Sequence, residues 1–473
     1  MTGIAGIGAY APRFRLAVET IEEAWGHTEA NGIQHTAVPD ADEDALTLAY
    51  EAAVRAFAAA SLDRDTIAGL FIGTTTPPYE EEAIAPRLVS TLGLPDDMPT
   101  RQIEGSTRAG VDALIAARQG MTASDAPTLA IGTDVPRGAP DDAIEQGGGA
   151  GAAAILLDPD GEGSIGQPVE HVTPYPGTRF RAAGSSETTG LGVTEYDRNA
   201  FRRTVATVGD AIDRDLGSAD AIALQSPDGA MPYRAAGDLG VDSATIQAGT
   251  TVHELGDTGA AGPLLGVATA IDAGHSAVPV IGYGSGGGAT ALWIDAGNAP
   301  VNTDLDGDTE LSYAEYLRLR GEITTGEPEG GGAYVSVPSW RRTIPQRHRL
   351  LAGRCPDCEE LAFPPEGACT GCGDMVEYES VELSGSATVE AATTIGQGGA
   401  PPEFVEQQAR SGSYVSAIVA FDGPGDGSVS VPVQVITGDE ETIEIGDRLE
   451  ATIRRIYAQE GVIRYGVKML PAG

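Results

Sequence analysis

The chain has 473 residues with 41% hydrophobic content, enough for two to four domains of about 150 residues each. Its 69 acidic against 29 basic residues give a formal net charge of −40, which argues against binding a phosphate backbone. No apolar run approaches the roughly 18 residues of a membrane span, and no charged-then-apolar leader opens the chain, so it reads as cytoplasmic and free of membrane. Lys468 is the only lysine. Acidic excess with arginine as the cation, spread along a Gly- and Ala-rich chain, points to a halophilic protein in a high-salt cytoplasm, where screening tolerates self-repulsion. Disorder or a basic partner are the alternatives, but the apolar patterning is too regular for disorder.

Residues 3–10, 67–73 and 128–133 are short apolar runs that end at glycine or a polar turn and predict buried strands. Between the first two, 41–61 carries an amphipathic helix pattern that Asp40 or a neighbouring acid can cap. Alternating strands and helices imply an α/β domain with a largely parallel sheet. Gln146–Leu157 (QGGGAGAAAILL) and Gly284–Ile294 (GSGGGATALWI) each run from glycines into an apolar strand, and each closes a stretch of roughly 150 residues. They predict two copies of one unit within residues 1–295, with chance similarity of Gly/Ala-rich strings as the alternative. Neither glycine run opens a helix, so neither is a dinucleotide-binding loop; close backbone approach around a cleft is the expectation.

Residues 311–323 (LSYAEYLRLRGEI) look helical, and 324–333 (TTGEPEGGGA) read as a linker. Asp304, Asp306, Asp308 and Glu315 fall at positions one, three, five and twelve of a calcium loop, but Thr309 holds the place of the required glycine and the incoming helix is missing. All four cysteines follow in one cluster, Cys355, Cys358, Cys369 and Cys372, spaced C-x2-C, ten residues, C-x2-C. Thiolates on two such knuckles can converge tetrahedrally on one structural Zn²⁺. Disulfides or chance clustering are the alternatives, and reduced thiols on a metal suit the expected compartment better. Beyond them, SATVEAATTI, SYVSAIVAF, SVPVQVI, RLEATIRRIY and VIRYGVKML are five short strands that fit a small barrel. Few aromatic and basic residues interleave there, so single-stranded nucleic acid is not the expected ligand.

Several strings converge on one family. GIGAYAPRFRL near the start, IGTD with GAPDDAIEQGGGAGAAAILL, LQSPDGAMPYRAAGDLG, ELGDTGAAGPLLG, GYGSGGGATAL and LSYAEYLRLRG together resemble archaeal hydroxymethylglutaryl-CoA synthase, a thiolase-fold condensing enzyme, over about residues 1–325. The tail from 338 on, with SWRRTIPQRHRLLAGRCPDC, FPP and CTGCG, resembles acyl-CoA-associated OB-fold proteins that carry a rubredoxin-like zinc ribbon. In archaeal systems such a protein bridges a thiolase and the synthase, so the resemblance implies a thiolase partner.

The family's chemistry implies four side chains, and all four are substituted here. The nucleophilic cysteine of its C-K-A-G string, at a helix N-terminus, aligns with Thr107 in Thr107-Arg108-Ala109-Gly110. The histidine of H-Q-P-N-G-K aligns with Gln225, and the asparagine of G-N-T with Asp257. The early glutamate that serves as general acid and base aligns with Thr75, ahead of Pro78-Tyr79. A threonine hydroxyl is a poor nucleophile without a base, and an anion at 257 opposes a developing oxyanion. Arg108 stands where the family has a lysine, so it is a candidate for CoA phosphate; a surface ion pair is the alternative. Ser106 with His253, four residues before Asp257, is a candidate displaced nucleophile and base, against a helix cap and a satisfied histidine.

The fold expected is therefore α/β, a duplicated thiolase-type domain over 1–325, a linker and helix over 326–350, a zinc ribbon over 351–376 and a small OB-like barrel over 377–473. The function expected is that of a pseudoenzyme, a non-catalytic synthase-like protein that binds acyl-CoA or scaffolds a thiolase in acyl-CoA or isoprenoid-precursor metabolism. It is expected to self-associate through the thiolase-type domain. The alternative is an active acyltransferase, or a condensing enzyme that forms or cleaves a C–C bond with displaced residues.

Overall fold

A computed structural model describes residues 3–323, 337–396, 400–438, 442–459 and 461–472. The expected linker at 324–333 lies outside them. The chain divides into two compact units, one of Met1–Pro39 with Asp44–Tyr316, the other of Asp40–Glu43 with Leu317–Gly473. No helix among the described residues is long and apolar enough to cross a membrane.

In the first unit the apolar runs become strands β1 (Gly3–Tyr10), β2 (Leu70–Gly73), β3 (Thr100–Ile103), β4 (Thr128–Asp134) and β5 (Gly151–Asp158). With Val301–Asp304 they form a six-stranded sheet in the order Val301–Asp304, β1, β5, β4, β2, β3. β5 runs antiparallel to both its neighbours, while β4, β2 and β3 run parallel. A second sheet holds β6 (Ala223–Leu224), β7 (Ala277–Tyr283) and β8 (Ala289–Asp295), with Ser164–Ile165 and Val169–His171 against β8. The antiparallel pair β7/β8 repeats the pair β4/β5. Both second members emerge from the glycine strings, as a duplicated unit requires.

Helices fill the layers. α1 (Ala45–Ala59) covers the outer face of the first sheet. The sequence pattern began at 41, but the helix starts four residues later because Asp44 is its cap. Its carboxylate accepts from Leu46 N and Thr47 N, and Asp44 N donates back to Thr47 Oγ1, a reciprocal capping box. α1 lies hard against β1: a Cβ on Gly8 would stand 2.1 Å from the Ala52 carbonyl oxygen. α2 (Ala109–Ser124) packs on β4 and β7, α3 (Thr194–Asp210) covers the second sheet, and α4 (Gly262–Asp272) joins α2 in the middle layer. The shared core between the sheets is mostly Ala, Val, Leu and Ile. A Cβ on Gly110 would stand 2.0 Å from the Ala260 carbonyl oxygen, so the N-terminus of α2 is pressed against the turn before α4.

In the second unit, short helices at Val337–Arg342 and Ile344–Arg349 lead into a three-stranded ribbon of Leu351–Arg354, Leu361–Ala362 and Glu379–Glu382. The five tail strands are β9 (Ser386–Ile395), β10 (Tyr414–Asp422), β11 (Ser428–Val435), β12 (Arg448–Gln459) and β13 (Val462–Pro471). They close into a barrel in the order β9, β10, β11, β13, β12. Alternation explains the interior: Val415, Ala417, Val419 and Phe421 are buried along β10. The sole lysine is not on the surface. Lys468 is fully buried on β13, with its Nζ 2.6 Å from Asp42 Oδ2, and Arg454 pairs with Glu43 at 3.2 Å.

Candidate active site and metal centre

Thr107 lies two residues before α2, next to its cap Arg108, and is 4% exposed. Its Oγ1 donates to the Tyr283 carbonyl at the end of β7, at 2.7 Å. Gln225, at the end of β6, is 2% exposed; its backbone N donates to Ile281 O and its Nε2 to Asp257 Oδ1 at 3.3 Å. Gln225 Oε1 is buried with no donor among the described residues. Asp257 is held by the glycine run: its backbone N donates to Gly147 O, and its carbonyl accepts from Gly149 N. A Cβ on Gly149 would stand 1.6 Å from the Leu255 carbonyl oxygen, so this close approach needs glycine.

The Asp257 carboxylate is paired with Arg179 and also accepts from Gly259 N at 3.0 Å. Burial pushes its pKa up, and the Arg179 guanidinium pulls the other way. Arg179 and Arg181 both line a cavity of about 420 Å³, with Thr75, Glu80, Glu104 and Thr188 among its other walls. Arg181 donates to the Thr75 carbonyl and to Thr188 Oγ1. Behind Thr75 lies Asp134, fully buried. It accepts from the hydroxyls of Thr74, Thr75 and Thr76 and from the backbone N of Thr75, Thr76 and Ala260, at 2.6–3.0 Å.

The structure thus brings Gln225 and Asp257 into contact, joins them through Arg179 to the cavity that Thr75 lines, and leaves Thr107 turned to a carbonyl. Arg108 forms an ion pair with Asp112 at 3.3 Å and donates to Thr290 Oγ1 at 3.4 Å. Burial pushes the Asp112 pKa up, against the pull of Arg108. The displaced pair is not assembled. His253 bonds Tyr233 Oη through Nε2 at 2.8 Å and the Gly32 carbonyl through Nδ1 at 2.6 Å, leaving no ring nitrogen for Ser106. Ser106 does not cap α2 with its side chain; the cap position is Arg108. The calcium-like acids are also committed elsewhere, Asp304 to Arg55 and Glu315 to the N and Oγ of Ser312. Sequence reasoning missed Arg179, Arg181 and Asp134. The signal for the arginines was a T-R-F-R string, 178–181, in a chain poor in cations, and Asp134 ends the IGTD string without having been singled out.

The four cysteine sulfurs lie within 4.8 Å of one another, and they are the only metal-capable group found among the described residues. Cys355 and Cys372 sulfurs are 3.9 Å apart, and Cys358 and Cys369 are 3.5 Å apart. Four ligands at a Zn–S distance of about 2.3 Å would stand about 3.8 Å apart, so the donor set fits. Knuckle geometry comes from positive φ at Glu359 and Gly373 and from Gly371 N donating to Cys369 Sγ.

Over residues 342–376 the chain matches the family model described as ChsH2, rubredoxin-like zinc ribbon domain. It is 30% identical to hydroxymethylglutaryl-CoA synthase of Methanosarcina mazei over 349 residues, covering 68% of this chain and 98% of that relative. The chain belongs to the hydroxymethylglutaryl-CoA synthase family. The synthase of Methanopyrus kandleri is 29% identical over 350 residues, 69% of this chain and 95% of the relative. Among solved structures, MvaS in complex with 3-hydroxy-3-methylglutaryl coenzyme A is similar with a TM-score of 0.59 at 19% identity, over 70% of this chain and 94% of that one. 3-Oxoacyl-(acyl carrier protein) synthase III of Pseudomonas aeruginosa gives 0.57 at 19% identity, over 63% and 98%. These likenesses establish the thiolase-type fold of the first unit. The synthase family's length is thus carried whole, with a ribbon and barrel after it.

Proposed function

We propose that this member of the synthase family acts on acyl-CoA thioesters, as an acyltransferase or as an enzyme that forms or cleaves a C–C bond, without a covalent acyl-enzyme. The observation that carries this reading is the buried Gln225–Asp257–Arg179 chain beside the cavity. A buried ion pair adds little stability over apolar residues of the same volume. A domain kept only as a scaffold has no need of one at the family's catalytic positions, and perturbed paired charges cluster at working sites. Arg179 and Arg181 suit a thioester oxygen on which charge develops, or a substrate carboxylate. Glu80 and Glu104, on the same cavity, are the carboxylates placed for proton transfer. Thr107 takes no part as a nucleophile, because its hydroxyl faces a carbonyl and no base. The thioester class is supported by the MvaS complex, whose fold the first unit shares.

A second reading, a non-catalytic partner of a thiolase, is favoured by the loss of the cysteine, the histidine and the asparagine at one site. Both readings take a thiolase as partner and self-association through the synthase-like unit. The test compares CoA release from acetyl-CoA plus acetoacetyl-CoA by the native chain and by the double variant Arg179→Met/Asp257→Leu. The first reading expects release by the native chain and a loss of about 100-fold or more in the variant. Thioester bound without release supports the second reading.

We further infer that the cysteine cluster holds Zn²⁺. A closed tetrathiolate leaves no open position, so the metal would supply folding energy to the ribbon and no substrate chemistry.

A further inference from the structure

The two arginines of the first unit's cleft are used differently. Arg179 is spent on Asp257, and both side chains are largely buried. Arg181 lies exposed on the open rim of the same cleft of about 420 Å³. It donates only to neutral acceptors, the Thr75 carbonyl and Thr188 Oγ1 at 3.4 Å. Among the described residues no carboxylate pairs with it, in a chain with 69 acids, although Glu80 and Glu104 line the same cleft. Those two accept elsewhere, Glu80 from Gly184 N at 3.0 Å and Glu104 from Gln102 Nε2.

Both anchors of Arg181 are fixed. Thr75 is held by Asp134 through its backbone N and its hydroxyl, and Thr188 is buried, with its backbone N donating to the Arg137 carbonyl at 2.7 Å. The guanidinium is therefore oriented in advance, with the rest of its planar donor fork unspent. Exposure decides what it suits. A charge that develops only in the transition state is best met by donors in a water-excluded site, which an open rim is not. A carboxylate that the ligand already carries needs a fixed fork, and two parallel charge-assisted bonds give both affinity and direction. Glu80 and Glu104 repel an anion elsewhere in the cleft, so a ligand carboxylate has one place to sit.

We propose, resting on the thioester reading of this cleft, that Arg181 makes it selective for a substrate that carries a free carboxylate. A dicarboxylic acid joined to CoA at one end and a separate carboxylic acid used as acyl acceptor share that chemistry. The test is equilibrium dialysis of the full-length chain with labelled malonyl-CoA, with 3-methylbutanoyl-CoA, which has the same shape without the charge, and with free malonate in the presence of CoA. Malonyl-CoA bound about ten-fold more tightly than 3-methylbutanoyl-CoA assigns the carboxylate to the thioester. Saturable malonate binding without that preference assigns it to a separate acid. Either supports the proposal when Arg181→Met abolishes it. Arg181→Lys, which keeps the charge and loses the fork, should retain part of the gain. The native chain and Arg181→Met should bind 3-methylbutanoyl-CoA alike, and far-UV circular dichroism establishes that the variants fold. Neither a preference for malonyl-CoA nor saturable malonate binding by the native chain overturns the proposal, and so does a preference that survives Arg181→Met. The readout is binding, so its failure is separate from that of the catalytic reading. Arg181-dependent binding without CoA release from acetyl-CoA plus acetoacetyl-CoA removes catalysis and leaves the carboxylate site standing.

Discussion

At the scale of single residues, Asp257 and Arg179 depend on each other. Removing one partner of a buried pair leaves the other uncompensated, so Arg179→Met should cost about 3–5 kcal/mol in denaturant unfolding, whereas the double variant with Asp257→Leu should cost far less. The pH sign follows from burial. The Asp257 pKa is raised on folding, so the native chain binds more protons than the unfolded one above the ordinary carboxylate range. This contribution to stability therefore falls as pH rises through that window. Without Arg179 to oppose it the effect grows, and Arg179→Met should lose more stability than the native chain as pH rises above the ordinary carboxylate range. An equal pH slope in the two proteins would contradict the pairing. The substituted positions 75, 107, 225 and 257 were legible in the sequence because they sit in strings that resemble the family's. Arg179 was not, because it lies in an irregular loop without periodicity and its partner is 78 residues away.

At the scale of elements, sequence period and glycine placement did most of the work. The tail strands were readable because alternation with Gly/Asp turns is a local signal. Their closing order, with β13 between β11 and β12, was not, since it depends on long-range pairing. The burial of Lys468 against Asp42 was equally invisible, because the two lie 426 residues apart. Glycines in β1 permit the approach of α1. Gly8→Val should destabilise the first unit by about 1–3 kcal/mol through overpacking, read as a lowered denaturant midpoint. In the ribbon, metal analysis should find one zinc per chain, and Cys369→Ser should lose the metal and the ribbon's protection from proteolysis. Zinc-free native protein, or a chelator that leaves the ribbon resistant, would contradict the assignment.

At the scale of the whole molecule, composition and fold answer different questions. A net charge of −40 says nothing of topology, but it sets the conditions under which the chain is stable. If the acidity is an adaptation to high salt, the thermal midpoint should rise steadily as potassium chloride is raised from low to molar concentration, as screening relieves self-repulsion. A midpoint insensitive to salt would remove that reading. The family match covers the synthase-like part nearly end to end, and at Thr107, where the resemblance puts the family's cysteine, the hydroxyl donates to the Tyr283 carbonyl. The most direct measurement is therefore on the intact chain, given acetyl-CoA and acetoacetyl-CoA in molar salt, with free CoA and intact protein mass followed together. The account predicts CoA release from a chain whose mass does not change. An acetyl adduct on Thr107 or Ser106, or no CoA release from either thioester, would contradict it.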